Sequence, residues 1–312
     1  MEHDHAGAGD RLRRLMDAGC VAMPGAFNGL AARAVAKAGF DACYVSGAAT
    51  SAAAGVPDVG VLSFEHFCRV IREVADGARR DDGTRLPVLA DADTGFGEAE
   101  MVRRSVIEYE RAGAAGLHLE DQEFPKRCGH LDGKRLVSVD HMCEKVEWAA
   151  RARDGETERR RDEVRGMVLC ARTDARGVDG FDAAVARAKA YVEAGADMIF
   201  PEGLTSEEEF ARFARELRPS VPSSLRPYLL ANMTEFGKTP IIPLSKFAAM
   251  GYSCVIYPVS LLRVAMGALT RAAEQLKREG SVASFLPQMQ TRQELYGLLG
   301  YEPGKPWEFP GE

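Results

Sequence analysis

The chain has 312 residues, of which 40 are Lys or Arg and 46 are Asp or Glu, so its formal charge is −6. This acidic balance does not favour a nucleic-acid-binding surface, because phosphate binding needs a basic patch. There is no run of eighteen apolar residues, so no membrane span is expected. The hydrophobic content of 46% is sufficient for one large core.

The first ten residues are polar and lack the apolar core of a signal peptide. We therefore expect residues 1–10 to form a disordered tail and residues 11–312 to form a single domain. The seven cysteines include no CxxC pair, so neither a disulfide framework nor a structural zinc site is indicated. Three of them, Cys43, Cys170 and Cys254, lie in apolar runs typical of a core. This cysteine usage favours a reducing compartment, the cytoplasm.

A degenerate unit recurs along the chain. It consists of an Ala-rich helix, a glycine that suits the left-handed end of a helix, and a short apolar strand that ends in polar residues. Together with the strands between these units, the pattern predicts eight strands. In chain order they span residues 21–25, 42–47, 86–91, 116–121, 167–172, 197–202, 228–232 and 254–258.

Short apolar strands that alternate with helices are typical of a parallel sheet covered by helices. Eight such units predict an α/β fold of the (β/α)8 TIM-barrel type. A doubly wound sheet is the alternative, but no GxGxxG follows the first strand. Two helical stretches, 261–279 and 282–299, exceed what a barrel needs, and we expect them to be exchanged between subunits. Charge or proline interrupts the pattern near 154–165 and 219–227, which we interpret as surface insertions.

Polar residues follow most of the predicted strands. In chain order they are Ser46, Gly47, Asp91, Asp93, Glu120, Arg172, Glu202 and Asn232. Because the chemistry of such barrels lies at the carboxyl ends of the strands, these residues predict an active site. Asp and Asn can instead cap the helix that follows, and capping is the role that we favour for Asp174.

Asp91 and Asp93 stand two residues apart on a glycine-rich loop, residues 91–97. Hard oxygen ligands at a strand end suit Mg²⁺, which takes one or two carboxylates and keeps positions for water and substrate. Glu120, at the end of the next strand, can complete the shell. The sequence therefore predicts a Mg²⁺ site, in which Mn²⁺ can replace Mg²⁺.

The segment Lys126-Arg127-Cys128-Gly129-His130 follows the fourth strand. Nearby positive charge favours the thiolate form of a cysteine, which makes Cys128 competent for proton transfer or nucleophilic attack. Gly129 allows a substrate to approach the backbone closely. A surface loop with an incidental cysteine is the alternative interpretation.

Three arginines, Arg172, Arg263 and Arg292, offer planar forks for substrate carboxylates. Arg172 has the strongest case because it ends a strand, whereas the other two lie on predicted helices where a surface position is the alternative. A divalent metal, carboxylate receptors and one activated cysteine suit a small polyanionic acid. Such a substrate would form a carbanion that must be stabilised and then protonated.

Together these motifs resemble those of the isocitrate lyase and phosphoenolpyruvate mutase superfamily. The resemblance covers about residues 23–301 and rests on Ser46-Gly47, Val56-Pro57-Asp58, the 91–97 loop, residues 126–130, Arg172-Thr173-Asp174 and residues 232–237. It implies Mg²⁺-dependent cleavage of 2-methylisocitrate to pyruvate and succinate, in propionate breakdown by the methylcitrate cycle. With the two extra helices, it also implies a homotetramer.

Residue by residue, the resemblance places the metal on Asp91 and Asp93, with Asp58 and Glu120 in the outer shell. It assigns the pyruvate half of the substrate to Ser46, Gly47 and Ala48, and Ala48 stands where the family usually has a second glycine. The remaining pocket residues that it implies are Cys128, Gly129, His130, Arg172, Glu202, Asn232, Met233, Thr234, Arg263 and Arg292.

The implied chemistry is a retro-aldol cleavage. By resemblance Tyr44 is the general base, although the sequence alone is equally consistent with a core tyrosine. The cations around Cys128, which are Lys126 and Arg127 with His130 beside them, would stabilise the enolate of succinate. Cys128 would then protonate that enolate as a general acid.

Isocitrate lyases and other lyases of 2-hydroxy or 2-oxo diacids in the same superfamily are the nearest alternatives. Isocitrate lyases are usually longer, and they differ from this chain at Arg127 and over residues 234–237, so 2-methylisocitrate is the favoured substrate. Phosphonate-processing relatives lack the cysteine at position 128. A non-catalytic barrel that serves as a binding protein is an alternative of another class, disfavoured by the intact Asp91, Asp93 and Cys128. We expect a small polycarboxylate substrate and no nucleic-acid or membrane partner.

Overall fold

The computed structural model describes residues 7–127, 129, 133–155, 166–217 and 226–307. Eight parallel strands form one sheet in the order β1-β8-β7-β6-β5-β4-β3-β2. A parallel bridge between Gly25 and Tyr44 joins the two outer strands, so the sheet is nearly closed into a barrel. The strands are β1 (Val21–Pro24), β2 (Cys43–Val45), β3 (Val88–Asp91), β4 (Gly116–Glu120), β5 (Val168–Thr173), β6 (Met198–Pro201), β7 (Tyr228–Asn232) and β8 (Cys254–Tyr257).

Helices connect the strands and cover the outside of the barrel, so the predicted (β/α)8 architecture and all eight predicted strands are confirmed. The helices are α1 (Ala8–Ala18), α2 (Gly29–Lys37), α3 (Gly47–Ala53), α4 (Phe64–Gly77), α5 (Ala99–Arg111), α6 (Val139–Asp154), α7 (Ala175–Val178), α8 (Phe181–Glu193), α9 (Glu207–Leu217), α10 (Leu244–Met250), α11 (Ser260–Glu279) and α12 (Arg292–Leu299). None of the helices in the described ranges is long and apolar enough to cross a membrane.

The apolar side chains form two cores, because successive residues of a strand point to opposite faces. The larger core lies between the strands and the helices, and Val45, Ala90 and Leu117 belong to it. The smaller core fills the barrel interior and includes Leu89 and Phe200. Cys43, Cys170 and Cys254 are buried, as their apolar surroundings predict.

Helix α1 closes the amino-terminal end of the barrel, since its side chains Leu12 and Met16 join the interior core. Arg13 on the same helix is buried and donates to the carbonyl of Gly166 at 2.7 Å and to Asp197 Oδ2 at 3.1 Å. The predicted disordered tail of residues 1–10 is therefore wrong for residues 8–10, which belong to this helix. Residues 1–6 lie outside the described part of the chain.

Beyond the barrel, the first predicted carboxyl-terminal helix is confirmed as α11, but the second, over 282–299, is wrong as a single helix. It is divided into a 3-10 turn, Leu286–Gln288, and helix α12. Pro287 has no backbone N–H to continue an α-helix. A reciprocal capping box between Thr291 and Glu294 starts α12 afresh. Most of the two predicted insertions, namely residues 156–165 and 219–225, lies outside the described residues.

Candidate active site at the carboxyl ends of the strands

A cavity of about 260 Å³ opens at the carboxyl ends of the strands. Because all eight strands are parallel, their carboxyl ends lie on one face, and residues of six strands, β2, β3, β5, β6, β7 and β8, line the cavity there. The lining residues that the sequence predicted for the site are Tyr44, Ser46, Ala48, Asp58, Asp91, Gly129, Arg172, Glu202, Asn232, Thr234 and Arg263. Most of the predicted site is thus brought together.

The Asp91 carboxylate lies directly against the start of α3. Its Oδ2 accepts a hydrogen bond from the Gly47 N–H at 3.0 Å, and its Oδ1 accepts one from the Asp93 N–H at 3.0 Å. A side chain at position 47 would place its Cβ only 2.7 Å from Asp91 Oδ2, which explains the glycine there. Ser46 caps α3, since its hydroxyl accepts from the Ala49 N–H at 3.3 Å.

Lys126 carries its ammonium group among the predicted metal-binding carboxylates. It pairs with Asp93 Oδ1 at 2.7 Å and with Asp58 Oδ1, and its side chain is 3% exposed. Burial alone would lower the pKa of Lys126, but the negative charges of Glu120, Asp93, Asp91 and Asp58 together raise it. Lys126 is therefore a fixed positive charge inside the site.

Glu120 is 1% exposed, and neither of its carboxylate oxygens has a hydrogen-bond partner among the described residues. Its Oε2 lies 3.2 Å from Arg172 Nη1 in an ion pair. Burial raises the pKa of Glu120 well above its usual range, although Arg172 and Lys126 oppose this rise. A buried carboxylate without a hydrogen-bond donor is costly unless another cation approaches it.

These hard oxygen donors fit a divalent cation such as Mg²⁺, which binds through one or two carboxylates and fills its shell with water and substrate oxygens. In the described ranges, no three His, Cys, Asp or Glu side chains converge closely enough to form a cage made of protein ligands alone. The four predicted residues, Asp58, Asp91, Asp93 and Glu120, surround the Lys126 ammonium without forming such a cage, and only Asp58 and Asp91 among them line the cavity.

Tyr44 and His118 form a buried pair, of which only Tyr44 was predicted from the sequence. The Tyr44 hydroxyl lies 2.7 Å from His118 Nε2, and His118 Nδ1 lies 3.7 Å from Asp91 Oδ1. Burial lowers the pKa of His118, so the imidazole is neutral, and burial together with Asp91 raises the pKa of Tyr44. His118 stands two residues before Glu120 on β4. That period-two spacing was the available signal that both side chains face the barrel interior.

Arg172 is bound on several sides at the end of β5. Its Nε and Nη2 donate to Asp174 at 2.9 and 3.1 Å, a fork that fixes the plane of the guanidinium. The predicted capping role of Asp174 is wrong, since its side chain makes no capping bond to α7. The Ala175 N–H instead donates to Thr173 Oγ1 at 3.2 Å, which leaves both Asp174 oxygens available for cations.

Residues from β6 and β7 form the opposite wall. Asn232 Nδ2 donates to Glu202 Oε2 at 3.0 Å, while Asn232 Oδ1 is buried without a hydrogen-bond partner in the described structure. Thr234 lines the cavity. Met233 does not line it, because its sulfur accepts a hydrogen bond from the Ile242 N–H at 3.1 Å behind the wall.

Three predicted cations have different positions. Arg263, on α11, lines the mouth of the cavity, where its side chain is 46% exposed and Nε lies 3.8 Å from Glu235 Oε2. Arg292 begins α12 as an exposed residue and does not line the cavity. Arg127 is also exposed, and Gln122 holds its backbone through two hydrogen bonds of 2.9 Å.

Cys128 and His130, the predicted catalytic pair, lie outside the described residues, so their roles remain predictions from the sequence. Gly129 between them is described and lines the cavity. A larger cavity of about 660 Å³ lies beside the site, but of the predicted site residues that the structure describes only Asp93 lines it. We place the site in the smaller cavity, because the buried charges converge there.

Known sequences resemble this chain over most of its length. The profile of the family described as phosphoenolpyruvate phosphomutase matches residues 12–277. A protein of Corynebacterium glutamicum named "Probable 2-methylisocitrate lyase 1" is 48% identical over 280 residues, which are 90% of this chain and 85% of that protein. The 2-methylisocitrate lyase of Bacillus subtilis is 42% identical over 93% of this chain and 89% of its own length. The 2,3-dimethylmalate lyase of Eubacterium barkeri is 38% identical over 90% of each chain.

Solved structures share the fold. A crystal structure of 2,3-dimethylmalate lyase, described as a member of the PEP mutase/isocitrate lyase superfamily, superposes with a TM-score of 0.82 at 35% identity and covers 95% of this chain and 92% of that one. A phosphonopyruvate hydrolase complex with oxalate and Mg²⁺ superposes with a TM-score of 0.79 at 29% identity, covering 94% of this chain and 95% of that one.

Replacing Asp93 by Asn is expected to stabilise the metal-free protein at neutral pH. Burial and the neighbouring Asp91 raise the pKa of Asp93 to about 6, whereas an unfolded chain ionises near pH 4. The folded state therefore carries a penalty on the order of 2–3 kcal/mol above about pH 6, which shrinks as the pH falls from about 6 to about 4. Asn fits the backbone there, because it tolerates the positive φ of 45°.

Thermal unfolding in chelator, at about pH 7.5 and about pH 4.5, measures this effect. We expect a higher melting temperature for Asp93→Asn than for the wild type at the higher pH, with a smaller advantage at the lower pH. Asp91→Asn is the matched control, for which we expect the opposite change in melting temperature. Burial tends to raise the pKa of Asp91, but His118, Lys126 and Arg172 lower it overall, so its loss should destabilise the protein. An unchanged or lower melting temperature for Asp93→Asn at the higher pH would contradict the interpretation.

Proposed function

The chain belongs to the phosphoenolpyruvate phosphomutase family, and from that premise we propose that it is a Mg²⁺-dependent carbon–carbon lyase that cleaves 2-methylisocitrate to pyruvate and succinate. The proposal rests chiefly on the convergence of Asp58, Asp91, Arg172 and Glu202 at one cavity, in a chain 48% identical to a protein named for this reaction. Through this reaction the enzyme would serve the methylcitrate cycle of propionate catabolism.

The proposed metal ligands are Asp91 and Asp93, with Asp58 and Glu120 in the outer shell. The ion would supply positive charge beside the C2 hydroxyl of the substrate and so lower the cost of deprotonating it. The Glu120 oxygens, which accept no hydrogen bond from the described residues, and the number of carboxylates around Lys126 support a cation at this place. Mn²⁺, which also prefers oxygen ligands, would be able to replace Mg²⁺.

Tyr44 and His118 would remove the proton of that hydroxyl. The raised pKa of Tyr44 disfavours a phenolate, so Tyr44 cannot act as a preformed anionic base at neutral pH. The neutral His118 accepts at Nε2 when its hydrogen is on Nδ1, the nitrogen that faces Asp91. Tyr44 can then take the substrate proton as it passes its own hydrogen to His118 across 2.7 Å.

Cationic and polar groups would hold the carboxylates of the substrate. We assign the pyruvate half to the segment Ser46–Ala48, beside Asp91, and one carboxylate to Arg172, the buried fork on the wall of the cavity. Arg263 at the cavity mouth suits a further carboxylate. Glu202, Asn232 and Thr234 complete the polar wall.

Bond cleavage between C2 and C3 forms the carbonyl of pyruvate and leaves the electron pair on the carbon that becomes part of succinate. Lys126, fixed inside the site, would contribute positive charge that stabilises this enolate. Cys128 would donate the proton that completes succinate. Arg127 and His130 flank Cys128 in the sequence and are proposed to favour its reactive state.

A second candidate function is cleavage of 2,3-dimethylmalate, because the named lyase for that acid superposes with a TM-score of 0.82. That substrate has two carboxylates, whereas 2-methylisocitrate has three. The extra carboxylate is the feature that Arg263 would bind, so its place at the cavity mouth favours 2-methylisocitrate.

A substrate profile tests the proposed reaction. Pyruvate release from 2-methylisocitrate and from 2,3-dimethylmalate, and glyoxylate release from isocitrate, would be followed with Mg²⁺ and with chelator. We expect the highest kcat/KM for 2-methylisocitrate, by about 10- to 200-fold over isocitrate, since one methyl group gives about 1–3 kcal/mol of discrimination. Chelator should abolish activity. Failure to release pyruvate from 2-methylisocitrate in Mg²⁺ would refute the proposal.

Another prediction concerns Cys128 as the proton donor. Cys128→Ser should keep the melting temperature and lower kcat by about 10²- to 10⁴-fold, because serine is a far weaker acid than cysteine. Cys143→Ser is the matched control, since Cys143 lies on α6 away from the cavity, and it should keep wild-type kcat. Wild-type kcat in Cys128→Ser would remove this residue from the mechanism.

A further prediction concerns the assembly of subunits. We propose a homotetramer in which the subunits exchange their carboxyl-terminal helices. Only Leu262 of α11 is buried, whereas Val264 and Leu269 are 72% and 59% exposed. Such an apolar surface is typical of an interface between subunits. Light scattering should give four times the 33.9 kDa of one chain. Val264→Glu should reduce that mass, and Lys277→Glu on the same helix should not; a monomeric wild type would contradict the proposal.

We further propose a cytoplasmic enzyme, since the six described cysteines are all free thiols, as a reducing compartment keeps them. Cell fractionation tests this placement. Recovery of the protein outside the cytoplasmic fraction would contradict it.

A further inference from the structure

Lys134 is a buried cation that no part of the proposed mechanism uses. Its side chain is 4% exposed, and it does not line the cavity. Its ammonium donates to Asp174 Oδ1 at 2.7 Å and to the carbonyl oxygen of Gly129. These contacts join a residue of the cavity wall to the end of β5, 40 positions away from Lys134 in the sequence.

The carboxylate that binds Lys134 also holds Arg172. Asp174 is completely buried and receives the Arg172 fork at 2.9 and 3.1 Å. Its backbone N–H donates to Asp121 Oδ1 at 2.9 Å, and Asp121 is itself held by the Thr173 hydroxyl at 2.7 Å. Asp174 is therefore a buried anion held through both its backbone and its carboxylate.

The other partner of Lys134 packs directly on the substrate pocket. A Cβ added to Gly129 would lie 2.5 Å from Arg172 Nη2 and 2.6 Å from Glu202 Cγ. The backbone of residue 129 therefore approaches Arg172 as closely as only glycine permits. Since the carbonyl of Gly129 is bound by Lys134, this approach depends on the lysine.

The charges around Arg172 show what else Lys134 contributes. Arg172 faces three carboxylates, because Glu120 Oε2 lies 3.2 Å and Glu202 Oε2 lies 3.9 Å from it in addition to the Asp174 fork. Without Lys134, the whole charge of Asp174 would oppose the attraction of Arg172 for an anionic ligand. With Lys134 on Oδ1, part of that charge is neutralised.

We propose that Lys134 is a positioning residue for carboxylate binding, which acts by fixing the Gly129 backbone against Arg172 and by sharing the charge of Asp174. The inference rests on the proposed function in assigning Arg172 to a substrate carboxylate. It adds Lys134 and Asp174 to that site as groups that act through Arg172 without touching the substrate.

Oxalate is a suitable probe because the phosphonopyruvate hydrolase structure holds oxalate with Mg²⁺. Calorimetric titration of oxalate in Mg²⁺ would be compared for the wild type, Lys134→Met, Lys134→Gln and Lys134→Arg. We expect Lys134→Met to weaken binding by about tenfold or more, as loss of a charged hydrogen-bonding group does. Lys134→Gln, which keeps a donor for Gly129 but no charge, should fall between Met and wild type. Lys134→Arg should bind within about threefold of wild type.

Arg13→Met is the matched control. Arg13 is also a buried cation that donates to a backbone carbonyl and a carboxylate, but it lies at the opposite end of the barrel. Its loss should lower the melting temperature and leave the oxalate Kd unchanged. A purely structural role of Lys134 would likewise reduce the folded fraction, which calorimetry reads as stoichiometry, and would leave Kd unaltered. If Lys134→Met does not fold, Lys134→Gln supplies the same comparison.

Wild-type Kd in folded Lys134→Met or Lys134→Gln would overturn the inference, and so would a wild type that does not bind oxalate in Mg²⁺. Turnover of 2-methylisocitrate is measured separately on the same preparations. A wild type that binds oxalate but does not cleave 2-methylisocitrate would refute the proposed function while leaving the role of Lys134 intact. Normal cleavage of 2-methylisocitrate by the wild type, together with an unchanged oxalate Kd in the Lys134 variants, would refute the role of Lys134 and leave the proposed function intact.

Discussion

The need to neutralise buried charge determines the arrangement of this site. Closing the barrel brings Asp91, Glu120, Asp174 and Glu202 together at the carboxyl ends of four strands, and all four are at most 5% exposed. Ionised carboxylates are not stable in such surroundings without cations or hydrogen-bond donors. Three buried cations neutralise these carboxylates, namely Lys126, Arg172 and Lys134. Each cation is itself buried against the carboxylates with which it pairs. The site is therefore preorganised by mutual pairing of its charges.

The same balance explains why the site suits a polyanionic ligand and a cation together. The carboxylates around β3 outnumber Lys126. Glu120 accepts no hydrogen bond from the described residues, and burial together with Asp91 raises the pKa of Asp93. On the β5 side, Arg172 keeps enough positive charge for an anion because Lys134 shares Asp174. The barrel thus has a cation-attracting side and an anion-attracting side about one cavity, which is the distribution that cleavage of a metal-bound polycarboxylate needs.

The proposed proton path depends on packing inside the barrel. Tyr44 and His118 come from β2 and β4, yet their rings stack with centroids 5.9 Å apart, and His118 also meets Phe200 of β6 edge to face. These aromatic contacts fix the imidazole between Tyr44 and Asp91 and exclude water from it. Burial then sets both pKa shifts, so the same packing that fills the interior keeps the pair neutral.

The eight strands and most of the cavity wall could be predicted from the sequence, because apolar runs followed by charged residues report local burial and strand ends directly. Asp91, Arg172 and Asn232 were identified in this way. Which charges pair with one another could be seen only in the folded barrel. Asp174 has the sequence of a helix cap but binds Arg172 and Lys134, and the His118 imidazole meets a tyrosine 74 residues away. Local patterns specify which side chains turn inward, whereas their partners are set by barrel closure, which joins strands distant in the chain.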